Sequence, residues 1–357
     1  MRLVSVQGLR VLLICLVVAH HAGQPYGPTG GAWPIDDPAN TEWLGPFFGV
    51  NAGFFMGFFF LLAGYFTGSS YDRKGAAAFA RDRLIRLGIP LAVFTFVVFP
   101  VTIYFWTQPP GGFPGYYLGD YIGGWNIEEG HLWFVAQLLL YSLLYALWRI
   151  FSAGRPPTQR AVPGDAAIAT YVVSLAIAGT LVRSVSPQDA WVHLFWFVSA
   201  EPAHLPQYVS LFLIGIAAGY GNWLTTLPTA VGVRWFAVGV AAFAVAGVLR
   251  GMGDLPIEFG IAWGFLEAFV CVGMILGLTV LFRRWCTRPS GWLDFLDANV
   301  YGAYLVHWLL VVAIQAAILD FAWSANTKFA FVTVLGIALS FAISAALRAI
   351  PAVRRVV

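Results

Sequence analysis

Charge is scarce in this chain: Asp, Glu, Lys and Arg make up 10% of its 357 residues, against roughly 25% in a soluble domain. That scarcity excludes a water-soluble globule, because 59% of the residues are hydrophobic and no interior of this size could hide them. Cysteine is scarcer still. Cys15, Cys271 and Cys286 are too few and too scattered for a disulfide framework or a thiolate metal site, and they read as packing residues. No soluble domain, low-complexity tract or clear internal repeat stands out. The near balance of 20 Lys and Arg against 17 Asp and Glu says little by itself, and no nucleic-acid partner is expected.

What is present is a series of apolar segments of about 20 residues, the length that crosses a hydrocarbon core, separated by polar or Gly/Pro-rich breaks. They predict ten transmembrane helices near 7–23, 46–67, 86–107, 131–151, 165–185, 204–221, 232–250, 259–282, 298–319 and 328–349. The fold class is therefore all-α, a polytopic membrane helix bundle, with residues 1–357 forming one membrane domain. The first segment follows Arg2 as a signal peptide would. Arg10, His20 and His21 interrupt it and no small-x-small cleavage site follows, so it reads as a retained helix. The stretch Trp191–Ala200 is too short to span and reads as an interfacial piece or a pocket cap.

Orientation follows from the positive-inside bias. With the N-terminus inside, all of the 20 Lys and Arg except Arg183, Arg250 and Lys328 fall on the inner side, Arg2 and Arg155 among them. The outer loops collect acids such as Asp36, Asp37, Glu42, Asp120, Glu128 and Glu129. Both termini are thus expected in the cytoplasm. The loops 24–45 and 108–130, rich in Gly, Pro and aromatics, can fold over a site facing outward.

Several side chains carry chemistry. Arg10 and His21 are eleven positions apart, so at about 100° per residue they lie about 20° from one face and ~16 Å apart along the axis. An ionisable residue at membrane depth usually faces protein or a wet cavity; the alternative is that Arg10 snorkels and His21 caps a helix end. Arg83 and Arg86 lie one turn apart and suit a phosphate, since guanidinium forks bind phosphate oxygens in bidentate fashion, or they are positive-inside anchors. His20, His21, His131, His193 and His204 gather at the outer helix ends, and only His307 sits within a helix. Imidazoles at one depth are candidates for taking a hydroxyl proton. A bis-histidine haem or metal site is disfavoured by the lack of an i, i+4 pair, so no metal is expected. Trp133 is a pocket residue or an interfacial anchor. Glu201, beside Pro202, reads as a carboxylate satisfying free helix N–H groups. Glu267, the one acid well inside the bilayer, needs a partner or a proton. Asn299, Tyr301, Tyr304 and His307 form a polar edge that lines a pocket or bonds to a neighbouring helix.

Together these pieces resemble the acyltransferase-3 family of membrane acyltransferases, which includes polysaccharide O-acetyltransferases and glucan biosynthesis C proteins. The matching residues are Arg10 and His21, the run Phe58–Phe66 followed by Arg83-x-x-Arg86, His131-Leu132-Trp133-Phe134, and Asn299-Val300-Tyr301-Gly302-Ala303-Tyr304-Leu305-Val306-His307-Trp308. They stand in the family's order and cover most of the chain. The resemblance implies that Arg10, Arg83 and Arg86 face a cytoplasmic acyl donor and that His21 is essential for transfer. Departures are Gln7 and Val11, where the family often has an acid and a glycine around the helix-1 arginine, and Ala63-Gly64 in place of Ser-Gly. No appended periplasmic hydrolase-like domain is expected beside the helices, so the acceptor is expected to be held by the membrane domain and its outer loops.

The function expected is transfer of an acyl group, in the simplest case acetyl from acetyl-CoA, to a hydroxyl of an extracytoplasmic carbohydrate or small-molecule acceptor. His21 acts as base, with His20 or His131 assisting, or as a nucleophile forming an acyl-histidine. Acyl-CoA enters as a co-substrate, with no bound cofactor expected. The cell (inner) membrane is the expected location. The rivals are a transporter or flippase for a lipid-linked sugar or small molecule, and an enzyme moving succinyl or longer chains. Tyr116, Tyr117 and Trp125 either stack on a sugar or anchor the membrane surface.

Overall fold

The computed structural model describes residues 3–28, 33–152, 158–195, 198–252 and 259–357. Arg2 and Arg155 of the orientation count, positions 29–32 of the first long loop and 196–197 of the short apolar stretch lie outside the described residues. The principal helices are α1 (Val4–Gly23), α2 (Gly45–Lys74), α3 (Ala76–Thr107), α4 (Trp133–Phe151), α5 (Asp165–Arg183), α6 (Leu205–Gly221), α7 (Thr229–Met252), α8 (Phe259–Trp285), α9 (Gly291–Ala317) and α10 (Ala325–Arg348). Among the described residues nine of them are long and apolar enough to cross a membrane. The exception is α6, whose 17 residues cover about 26 Å at ~1.5 Å each, slightly less than the ~30 Å hydrocarbon core. The chain is a polytopic all-α membrane protein.

The chain divides into two compact units. One comprises Met1–Ser70, Pro156–Ala190 and Glu201–Leu347, and the other Tyr71–Arg155, Trp191–Ala200 and Arg348–Val357. In the first unit, glycine sets how closely helices approach. Gly215 and Gly219, one turn apart on α6, face Leu61 O and Tyr65 O of α2, and Gly64 of α2 faces Phe212 O in return; a Cβ at any of the three would collide with that oxygen. Between helices in lipid the hydrophobic effect offers little drive, so close backbone packing of this kind supplies the association. Gly239 of α7 and Gly273 of α8 meet in the same way. The C-terminal end of α1 is seated against α9 and α10 in an apolar cluster that includes Val18, Ala22, Phe48, Val311 and Val332.

In the second unit, α3 departs from a uniform helix. Pro90 and Pro100 have no N–H to offer the carbonyls four residues back, Arg86 and Phe96. The helix widens in answer: Leu84–Gly88 and Phe94–Val98 wind as π-turns, closed by Ile89 N on Leu84 O and Phe99 N on Phe94 O. Tyrosines take up the carbonyls of the second turn. Tyr117 Oη donates to Phe96 O at 3.0 Å and Tyr121 Oη to Thr95 O at 2.7 Å. Those tyrosines come from the second long loop, which folds as a short helix (Gly112–Gly115) running into a third π-helical stretch, Tyr116–Gly123. Its rings stack on one another, with Phe113 5.6 Å from Tyr117 and Tyr117 6.1 Å from Tyr121. Trp125 is 76% exposed. The short apolar stretch is a hairpin, β1 (Val192–Leu194) antiparallel to β2 (Val198–Ala200). Gln137 Nε2 of α4 donates to Ser199 O at 3.0 Å, and Ser199 N donates to Glu129 Oε1, so the hairpin is fastened to the start of α4.

Gly215→Leu should lower stability by about 1–3 kcal/mol or more, the cost of overpacking against backbone, read as the thermal unfolding midpoint in detergent. Gly247→Leu, where nothing lies within 4 Å of an added Cβ, should leave the midpoint unchanged.

Candidate active site

The C-terminal end of α1 is where the sequence-selected groups meet. His21 Nδ1 lies 3.0 Å from Val17 O and 3.0 Å from His307 Nε2 on α9. His307 is fully buried, and its Nδ1 is 2.6 Å from Tyr304 O. The indole of Trp33 stacks on His21 at 5.5 Å and 25°. Trp33 Nε1 donates to Gln315 Oε1 at 2.8 Å, and Gln315 Nε2 donates to His21 O and Ala22 O, each at 3.1 Å. His20 points elsewhere. It packs between Phe48 and Phe55 of α2, 3.4 Å from Asn51 Nδ2. The polar edge of α9 is thus shared out: His307, held by Tyr304 O, bonds to α1, whereas Asn299 accepts from Ser344 Oγ of α10 at 3.0 Å. Tyr301 is half-buried on the same helix.

At the other end of α1, Arg10 Nη1 forms an ion pair with Asp297 Oδ1 of α9 at 2.7 Å. Gln7 Nε2 donates to Asp294 Oδ1 at 3.0 Å and to Asp297 Oδ2 at 3.3 Å. An acid at position 7 would face two aspartates, which gives a physical reason for the glutamine there. These side chains and Phe66 line a cavity of about 310 Å³. Two carboxylates against one guanidinium make its wall acidic, so Arg10 is no free anion site.

Arg83, Arg86, His131 and Trp133 belong to the second unit. Arg83 lies 4.9 Å over the Phe79 ring, with its Nε buried and without a hydrogen-bond partner among the described residues. Arg86 is exposed on the first π-turn, Leu84–Gly88, which Arg83 precedes. His131 is buried, its ring 5.9 Å from Phe94 and 5.8 Å from Phe99. Trp133 makes an edge contact with Trp191 beside the hairpin, at 5.6 Å.

The model of an acyltransferase domain, that of the acyltransferase-3 family, matches residues 3–346. The chain belongs to the acyltransferase-3 family. It is a multi-pass membrane acyltransferase, and the matched span takes in every motif named above. No individual curated protein gives a significant match.

The acyltransferase also holds a buried charge cluster that sequence reasoning reached only in part. Glu267 of α8 pairs with Arg183 Nη2 at the end of α5, and its Oε1 is 3.2 Å from His204 Nε2. His204 Nδ1 is 2.6 Å from Glu201 Oε2, whose other oxygen accepts from Asp189 N at 2.9 Å. Glu201 therefore does not cap its own helix, as the sequence suggested; its oxygens are taken by His204 and the preceding loop. Burial works against its ionisation, but the His204 charge and hydrogen bonds hold its carboxyl below the usual range. Burial, and then the charge of Glu201, push Asp189 up. Gly264, one turn before Glu267, makes room for the Arg183 side chain. Among residues the sequence did not single out, Gln315 left a trace: it lies eleven positions beyond Tyr304, about 20° from the same helix face. Trp33 and Asp297 left none.

Glu267→Gln should cost about 3–5 kcal/mol, because Arg183 is left buried without its counter-charge. The double variant Arg183→Met, Glu267→Leu should recover most of that loss. A double-mutant cycle on thermal unfolding in nanodiscs measures both.

Proposed function

We propose that the acyltransferase moves an acetyl group from cytoplasmic acetyl-CoA to a hydroxyl of a carbohydrate on the other side of the cell membrane. The observation that carries this reading is the His21 ring, hydrogen-bonded to a buried histidine and backed by an indole. Its Nε2 makes no hydrogen bond to any described residue. A half-buried imidazole with one nitrogen anchored and the other unengaged suits general-base work on a hydroxyl. Arg83 and Arg86 are assigned to the donor phosphates, since their heads offer fork donors at the end of α3. Arg10, already engaged by Asp297, is assigned to placing the thioester arm. Acetyl is preferred to succinyl because a donor carboxylate needs a further cation, and the nearest candidate by sequence depth, Arg183, is committed to Glu267.

Transport of a lipid-linked sugar is the second reading, and one observation favours it: the buried cluster of Arg183, Glu201, His204 and Glu267 is the kind of ionisable site that couples transport. Purified protein in nanodiscs given labelled acetyl-CoA separates the two. Acetyl-CoA-dependent CoA release supports the enzyme. Sugar movement across proteoliposomes without acetyl-CoA supports transport.

His21→Ala should insert in the membrane normally and lose roughly 10²–10⁴ in transfer rate, the range for a general base. Arg83→Ala should raise KM for acetyl-CoA with little change in kcat. Near-normal CoA release by His21→Ala membranes would remove the base assignment.

A further inference from the structure

Carbonyl oxygens only accept hydrogen bonds, and this settles both rings of the histidine pair. His307 Nδ1, 2.6 Å from Tyr304 O, must carry a proton, so the neutral ring presents a lone pair at Nε2. His21 Nδ1 faces that lone pair at 3.0 Å and Val17 O at 3.0 Å, so it carries a proton too. The lone pair of neutral His21 is then left at Nε2. Tautomer choice in histidine is set in this way, by what the opposite nitrogen bonds.

Resting on the reading of His21 as the base, we infer that His307 is its positioning residue, holding His21 in the Nδ1–H tautomer and supporting its charged form. In the transfer step the acceptor O–H proton passes to His21 Nε2 as the oxygen bonds to the thioester carbon. The C–S bond breaks, and the Nε2 proton leaves on the CoA sulfur. Between those events His21 is an imidazolium. Its Nδ1–H keeps the His307 lone pair and Val17 O as acceptors, and the Trp33 face lies against the ring, an arrangement that favours a cation. Burial of His307 among α9 and α1 groups keeps water from competing for that contact. Gln315 adds rigidity from the backbone side, fixing His21 O and the indole with one amide.

The test uses the full chain, labelled with ¹⁵N-histidine, in nanodiscs. Magic-angle-spinning NMR should show His21 protonated at Nδ1 and bare at Nε2, with a correlation from His21 Nδ1–H to His307 Nε2. In His307→Met that correlation disappears and kcat for CoA release falls roughly 10- to 100-fold, as for other partners that orient a working histidine. KM for acetyl-CoA should move less than about twofold. His307→Gln, whose Oε1 can stand in for the Nε2 lone pair, should recover much of the rate. A wild-type His21 protonated at Nε2 would overturn the inference, as would His307→Met turning over at the wild-type rate. Should the wild type release no CoA at all, the reading of acetyl-CoA as donor fails, while the NMR correlation still decides whether the two rings are coupled as described.

Discussion

Removing a charge from water into a low-dielectric interior costs several kcal/mol unless a partner is waiting, and the placement of the deep ionisable groups in this protein answers to that cost. Of the three cations that depart from the positive-inside pattern expected from the sequence, two are buried against acids and the third lies in the open. Arg183 meets Glu267, Lys328 Nζ sits 2.7 Å from Asp37, and Arg250 approaches Glu42 at 4.0 Å. Arg149, 2% exposed, follows the same rule with Asp72 at 2.8 Å and Tyr145 Oη at 2.7 Å.

The same constraint shapes the histidine site. Two buried or half-buried imidazoles in contact are tolerable when both are neutral and each donor has an acceptor, and the Tyr304–His307–His21 chain meets that condition with backbone carbonyls at both ends. Gln315 has its amide fully used by Trp33 and the end of α1. The first long loop is thereby tied to the helix that bears His21. At the opposite end of α1, Arg10, Gln7, Asp294 and Asp297 form a second α1–α9 clasp. The two helices are thus fastened to each other at both ends.

Much of this architecture was legible beforehand. Hydropathy located the helices, and the family resemblance named His21, His307 and the arginines. Pro90 and Pro100 stood in view, yet the π-turns they cause did not, because a missing N–H can be answered by a kink, a widened turn or a side-chain donor. Here Tyr117 and Tyr121 provide part of the answer from 21 and 26 residues away. Glu267 was known to need a partner, and nothing local identified Arg183, 84 residues earlier. Gln7 looked like a departure from the family until the two aspartates of α9 came into contact with it.

By itself the sequence determined that the chain crosses a membrane, that it does so as helices, and which family it belongs to. Those properties are sums over neighbouring residues: mean hydropathy over a span, charge near helix ends, order of short motifs. Only the tertiary structure decided which imidazole nitrogen is left without a bond, which arginines are already neutralised, and where glycine must replace any side chain. Each of those rests on a distance of about 3 Å between groups as many as 294 residues apart, and no local pattern encodes such a distance.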